Sequence, residues 1–166
     1  MQDLAKLLAA VVVLHTLGKC GACDPDSCWK HPLFPKAAGC LITNGSNRDL
    51  LLVKNPDGEW TFPAGNRAGI FENGRGIAER ETKEEAGIDG TVDDWVCSSD
   101  GILGIWSFVG YCCTADNDSQ APSPDGDEVT EAKYMSRSEL AGLSSAELRF
   151  PDQQDFLLSV IDGTYC

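Results

Sequence analysis

Glu81, Glu84 and Glu85 constrain this chain more than any other three residues. They stand at i, i+3 and i+4, so on a helix with about 3.6 residues per turn all three carboxylates share one face. Like charges that close repel one another, and a bare helix that carries them is destabilised. Bulk water offsets the repulsion on an ordinary surface; in a site, a divalent cation that takes hard oxygen ligands does so. Arg80, four residues before Glu84 and next to Glu81, neutralises and orients part of the cluster. A glutamate-rich surface helix would explain these charges alone, but not the Gly-rich approach from Gly65, the aromatic-Pro stretch Trp60-Thr61-Phe62-Pro63 or the glycine stop at Gly87. The pattern predicts a magnesium site for phosphate chemistry.

Gly65, a spacer, Glu72, a gap to Arg80-Glu81, then Glu84-Glu85 and Gly87-Ile88 resemble the signature of the Nudix hydrolases, metal-dependent enzymes that cleave a nucleoside diphosphate linked to another group. The spacer between Gly65 and Glu72 is one residue longer than the usual pattern, Ala64 stands where glycine is frequent, and Thr82 takes the place of a bulkier residue. An extra loop residue is tolerated thermodynamically and bears on Glu72 more than on the helix carboxylates. The resemblance implies an α/β fold, a Nudix-type α/β/α sandwich with a mixed β-sheet, and Mg²⁺ or Mn²⁺ as cofactor. It implies Glu81 and Glu85 as direct metal ligands, Glu84 as third ligand or base, Glu72 as an outer ligand, the Gly65 carbonyl as a further ligand and Arg80 as the residue that holds the carboxylates in register. The general base in such enzymes also comes from a later loop, where Glu128 and Glu131 are candidates. The competing class is a catalytically silent Nudix-fold module that binds a nucleotide or a protein. Such modules usually lose a helix glutamate, and all three are present here. A Nudix-fold isoprenoid diphosphate isomerase is a further alternative.

The substrate is expected to be a small nucleotide diphosphate derivative. No proline lies between Gly87 and Pro122, which disfavours the ADP-ribose type, and Trp106 stands near where dinucleoside polyphosphate hydrolases tend to carry tyrosine. Trp106, Phe108 and Tyr111 are candidates to stack a base, although aromatics in an apolar strand more often belong to the core. Arg67 and Arg75, close to the Gly-rich turn, are candidates to meet phosphates.

A formal charge of −13 and a pI near 4.4 disfavour a nucleic-acid groove, which needs clustered Lys and Arg, and an anionic membrane surface. Leu7 to Leu14 is an unbroken apolar run preceded by Lys6. It is shorter than the roughly twenty residues of a stable membrane span, and with the small residues Thr16 and Gly18 it predicts a signal peptide over residues 1–18. Asp3 and His15 depart from that pattern, and an amphipathic helix is the alternative. Eight cysteines point the same way, to an oxidising compartment and a secreted or periplasmic protein. Their connectivity does not follow from sequence. Adjacent Cys112 and Cys113 in a strand should face opposite ways and seek different partners. Residues 19–36 form a Cys-rich arm, where Cys20, Cys23, Cys28 and His31 offer zinc ligands; disulfides are the expected reading. The domain proper should span 37–166.

Within it, Ala38–Thr43 and Asp49–Lys54 read as a hairpin turned at Asn44-Gly45, and Glu59–Phe62 as a short strand. A helix from Asn73 to Ala86 is capped by Asn73 and stopped by Gly87. Thr91–Ser98, Ile102–Cys113 and Glu128–Met135 read as strands, Ser136–Leu140 as a short helix and Pro151–Ile161 as a closing helix. Thr114–Gly126 should be a solvated acidic loop.

Overall fold

Apolar residues alternate along the strands, so each strand sends side chains to two different cores. The computed structural model describes residues 35–45, 47–99, 108–117, 119–124 and 126–166. The expected leader, almost all of the Cys-rich arm with its zinc alternative, and Trp106 lie outside the described residues. The strands are β1 (Ala37–Asn44), β2 (Asp49–Lys54), β3 (Trp60–Thr61), β4 (Ala64–Asn66), β5 (Gly90–Ser99), β6 (Phe108–Ala115) and β7 (Glu131–Met135). They form one sheet in the order β3-β2-β1-β6-β5, with β4 paired to β1 and β7 to β2. β1 and β6 run parallel, whereas every other strand pair is antiparallel. The sheet is therefore mixed, as expected.

Ala38, Cys40 and Ile42 of β1 join Leu51 and Val53 of β2 beneath helix α1 (Gly74–Ala86), which adds Ile77, Ala78 and Ala86. The alternate residues Leu41, Leu50 and Leu52 face the other way. They pack against Leu140 of α2 (Arg137–Gly142) and Leu157, Val160 and Ile161 of α3 (Gln154–Ile161). Helices thus cover both faces, and the α/β/α sandwich holds. Truncating a side chain as buried as Ile77 to alanine costs about 2–5 kcal/mol in such cores.

Helix α1 begins and ends where local chemistry directs. The Asn73 side chain accepts a hydrogen bond from the Gly76 N–H, and Gly87 closes the helix at φ 68°, a conformation that favours glycine. The short α2 starts from Ser136 with a reciprocal capping box through Glu139, and the first residues of the closing segment, Pro151–Gln153, are a 3-10 turn rather than α-helix.

The β1–β2 hairpin forms where expected, but with a wider turn than a two-residue Asn-Gly loop, and Asn44 pairs with Asp49 across four intervening residues. Its side chain instead accepts from the Asp49 N–H, while Arg48 adopts φ 54° and donates to the carbonyls of Ile161 and Val160 at the end of α3. The acidic segment after β6 is largely exposed, as expected, but it and the residues that follow are tied to the rest of the fold. Asp116 N–H bonds to Asp89, Ser123 N–H to the Ala86 carbonyl at the end of α1, and Thr130 N–H to Lys54, while Val129 is buried in the α1-side core.

Cys112 and Cys113 face opposite ways, as their adjacency in a strand requires. Cys113 bonds to Cys40 in the core under α1, and Cys112 to Cys166 on the opposite face. Two disulfides fit an oxidising compartment. Among the described residues no helix is long and apolar enough to cross a membrane.

Candidate active site

β1, β4 and α1 together build the site. β4 pairs with β1 through Ala38 and Gly65, which lays the backbone of Ala64 and Gly65 along the N-terminal half of β1, under the carboxylate face of α1. The Ala64 N–H donates to Glu85 Oε2 at 2.8 Å. A β-carbon at Gly65 would overlap the Glu81 carboxyl group, so glycine there permits the backbone to approach that carboxylate. The two glutamates that face inward are almost covered: Glu81 is 7% and Glu85 9% exposed. Glu84 lies on the solvent side, its side chain 54% exposed.

Arg80 ties the rest together. Its Nε donates to Glu72 Oε1 at 2.9 Å, its Nη1 to Glu81 Oε1 at 2.7 Å and to Glu84 Oε2 at 2.8 Å, and its Nη2 to the Asn66 carbonyl at 2.8 Å. Glu72 uses its second oxygen to accept from the Ala68 N–H at 2.7 Å, so the longer loop still delivers this residue to the cluster. The structure thus brings Gly65, Glu72, Arg80, Glu81, Glu84 and Glu85 into one place. Among the described residues no three carboxylates are already gathered as a ready-made cage; Arg80 stands between three of them.

The electrostatics follow from this layout. The Arg80 guanidinium holds Glu72 below the usual carboxylate range. Burial pushes Glu81 up despite Arg80, and burial pushes Glu85 up to about 7, with its Ala64 hydrogen bond acting the other way. Arg80 bonds to three carboxylates, the fourth, Glu85, feels a cation only through the charge of Arg149, and two of the four are taken out of water. Hard oxygen donors carrying surplus negative charge are the donor set that suits Mg²⁺ or Mn²⁺.

A family model described as the NUDIX domain matches residues 33–157, well over half of the chain. The chain belongs to the Nudix family. That match puts it in the enzyme class of the Nudix pyrophosphohydrolases. The chain matches no curated protein. Similar solved structures include a NUDIX hydrolase from Nitrosomonas europaea, 23% identical over 80% of this chain and 73% of that one, with a TM-score of 0.62. An ADP-ribose pyrophosphatase from Streptococcus suis is 20% identical over 78% and 91%, at 0.58. A C. elegans Ap4A hydrolase is 22% identical over 78% and 97%, at 0.56. Likeness at these identities establishes the fold.

Of the outlying residues singled out in the sequence, some come to the Nudix helix and others do not. Glu128, anchored by its buried neighbour Val129, raises the pKa of both Glu81 and Glu85 through its charge. Glu131 lies in β7 opposite Lys54. Arg75 turns away to the Val92 carbonyl of β5, at 2.8 Å. Tyr111, 1% exposed, belongs to the packed interior, while Phe108 is half-buried and packs edge-on against Phe62. Arg149 carries no motif in the sequence. A backbone bond from its N–H to the Trp60 carbonyl, 3.0 Å long, sets it beside the β3–β4 turn, from where its charge acts on Glu85. Only the pairing of Leu148 with Trp60, far apart in sequence, puts it there.

Proposed function

We propose that the chain hydrolyses the pyrophosphate bond of a nucleoside diphosphate linked to another moiety, using Mg²⁺ or Mn²⁺ and water. The observation that carries this reading is the pair of buried carboxylates, Glu81 and Glu85, set against the backbone of Ala64 and Gly65 with more negative charge around them than Arg80 balances. A structural cluster would match its charges; a surplus of buried oxygen anions is stable when a cation joins them.

In this reading Glu81, Glu85 and the Gly65 carbonyl hold the metal, Glu84 completes the set or acts as base, and Glu72 lies further out. A divalent ion bound there supplies the positive charge that offsets repulsion between phosphates and carboxylates and makes its bound water more acidic. Arg80 keeps Glu72, Glu81 and Glu84 in register through charge-assisted hydrogen bonds. Arg149, whose charge reaches Glu85, would pair with a phosphate oxygen. Water adds to phosphorus, the bridging P–O bond breaks, and the water proton passes to a carboxylate, with Glu84 and Glu128 as the candidates. The disulfides support the further expectation that the protein works outside the reducing cytosol, in a form exported from a leader over residues 1–18.

A panel of nucleoside diphosphate derivatives, assayed by nucleotide and phosphate release with Mg²⁺, Mn²⁺ or a chelator, tests the proposal. Metal-dependent release of a nucleoside monophosphate is the expected result. Release that persists under chelation, or none across the panel with either ion, overturns it.

A further inference from the structure

The loop that carries the family's extra residue ends in a turn of unusual composition. The Glu72 N–H bonds to the Gly69 carbonyl at 3.1 Å, so Ile70 and Phe71 occupy the two central positions of a β-turn. Those positions normally hold Gly, Pro, Asn, Asp or Ser. Here they hold two large apolar side chains, Ile70 72% and Phe71 82% exposed, the large hydrophobic residues that the described part of the chain leaves open to solvent.

The turn is fastened at both ends. Arg67 N–H bonds to the Lys36 carbonyl at 2.8 Å, and Glu72 grips the loop's Ala68 N–H with one oxygen and Arg80 with the other. Phe71 is therefore the residue next to a member of the carboxylate cluster, on a support whose position that cluster fixes. Of the β6 aromatics that the sequence suggested as base-stacking residues, Tyr111 is buried and Phe108 is half-buried and packed edge-on against Phe62.

We propose that Ile70 and Phe71 form the apolar platform on which the nucleobase of the substrate rests, with Phe71 stacking against the ring. The inference rests on the function proposed above and adds to it the element that recognises the non-reacting end. With the diphosphate held at the cluster of Glu72, Glu81 and Glu85, an exposed aromatic next to Glu72 is what the base of the nucleotide would meet. Base stacking on an aromatic side chain tolerates different bases, since each has a π-face. Recognition of this kind loses little ordering entropy because the turn is already held.

Equilibrium titration of the full chain with ADP, GDP, CDP and UDP in the presence of Mg²⁺ tests the platform, with 5-phosphoribosyl diphosphate as the probe that has phosphates but no base. Phe71→Ala should weaken binding of the nucleoside diphosphates about tenfold, Phe71→Trp should recover it, and the loss for 5-phosphoribosyl diphosphate should be several-fold smaller. Equal losses for both probe types, no loss, or wild-type protein that binds none of the four nucleotides overturns the inference. So does a change in molecular mass by light scattering between wild type and Phe71→Ala, which would assign the apolar tip to a second copy of the chain. Binding that responds to Phe71 in a protein that hydrolyses nothing would keep the platform while refuting the hydrolase, so the two readings fail separately.

Discussion

Arg80 and Arg137 are both arginines of helices bonded to carboxylates, and they do opposite things. Arg137 meets one partner, Asp162, through two bonds of 2.7 and 3.0 Å between exposed groups. One cation balances one anion, and the pair staples α2 to the end of α3. Arg80 serves three carboxylates, with a fourth, Glu85, buried alongside. A surface pair of the first kind contributes at most about 1 kcal/mol. The second arrangement keeps two of its carboxylates, Glu81 and Glu85, where water screens them little. Charge that folding leaves unbalanced marks where a ligand belongs; balanced charge marks architecture.

The sharpest way to break this contrast is to neutralise the buried carboxylates. Glu81→Gln or Glu85→Gln should lower turnover on the order of a thousandfold or more, about 4 kcal/mol of transition-state stabilisation. Without metal, Glu85→Gln should leave the fold equally or more stable above neutral pH, since the amide keeps an acceptor for Ala64 and removes a buried charge. Glu81→Gln also gives up a charge-assisted bond to Arg80 and should be close to neutral in stability. Turnover kinetics and urea melts of the same proteins check the pairing; wild-type hydrolysis by Glu85→Gln at saturating Mg²⁺ would sink the mechanism.

The pH dependence of the metal-free protein follows with a defined sign. Burial raises the folded-state pKa of Glu85 from 4.5 to about 7. The protonated fold is therefore favoured. Its contribution is full below about pH 4.5 and is lost as pH rises through 7, to a limit of about 3 kcal/mol. Chelated protein should melt lower at pH 8 than at pH 5, and Mg²⁺ should restore the loss at pH 8. A metal-free melt that is flat across that range would show that Glu85 is not held in the way described.

Arg80→Ala should come next in size. It separates Glu72, Glu81 and Glu84 from their shared cation, and a supporting residue of this kind typically accounts for about ten- to a hundredfold in activity or metal affinity. Titration of Mg²⁺ binding alongside kcat would reveal whether the loss lies in affinity or in the chemical step. At the bottom of the scale, Arg137→Ala should cost about 1 kcal/mol or less and leave kcat alone. Glu147→Gln, at a surface cap on Ser144, should likewise spare catalysis. An activity loss in either of these two variants would erase the distinction between the regions.

The sequence discloses those features that are local. Asn73, Gly87 and the spacing of Glu81, Glu84 and Glu85 announce α1 and its charged face because capping and helical periodicity act within a few residues. The opposite orientations of Cys112 and Cys113 follow from the pleat. Their partners do not, since Cys40 and Cys166 lie 73 and 54 residues away and only strand order and the path of the last helix bring them near. Arg48 shows the same limit. An Asn-Gly pair signals a tight hairpin, but the turn is wider, and Arg48 in it bonds to the carbonyls at the end of α3. Arg149 comes within electrostatic reach of Glu85 through the Leu148–Trp60 bridge, a pairing that no local pattern announces.

The neighbouring cysteines of β6 also make that strand hazardous to assemble. A slip of one residue in its pairing with β1 would turn every side chain to the wrong face, carrying Cys112 toward Cys40 and Cys113 toward the opposite layer. Oxidation at that moment would fasten the error, because correcting it then requires thiol–disulfide exchange rather than a simple breathing of the sheet. The same two bonds that fix the mature register would, made too early, preserve an inverted one, so the order of events matters: packing of Ile42, Val109 and Tyr111 under α1 has to select the face before the sulfurs close.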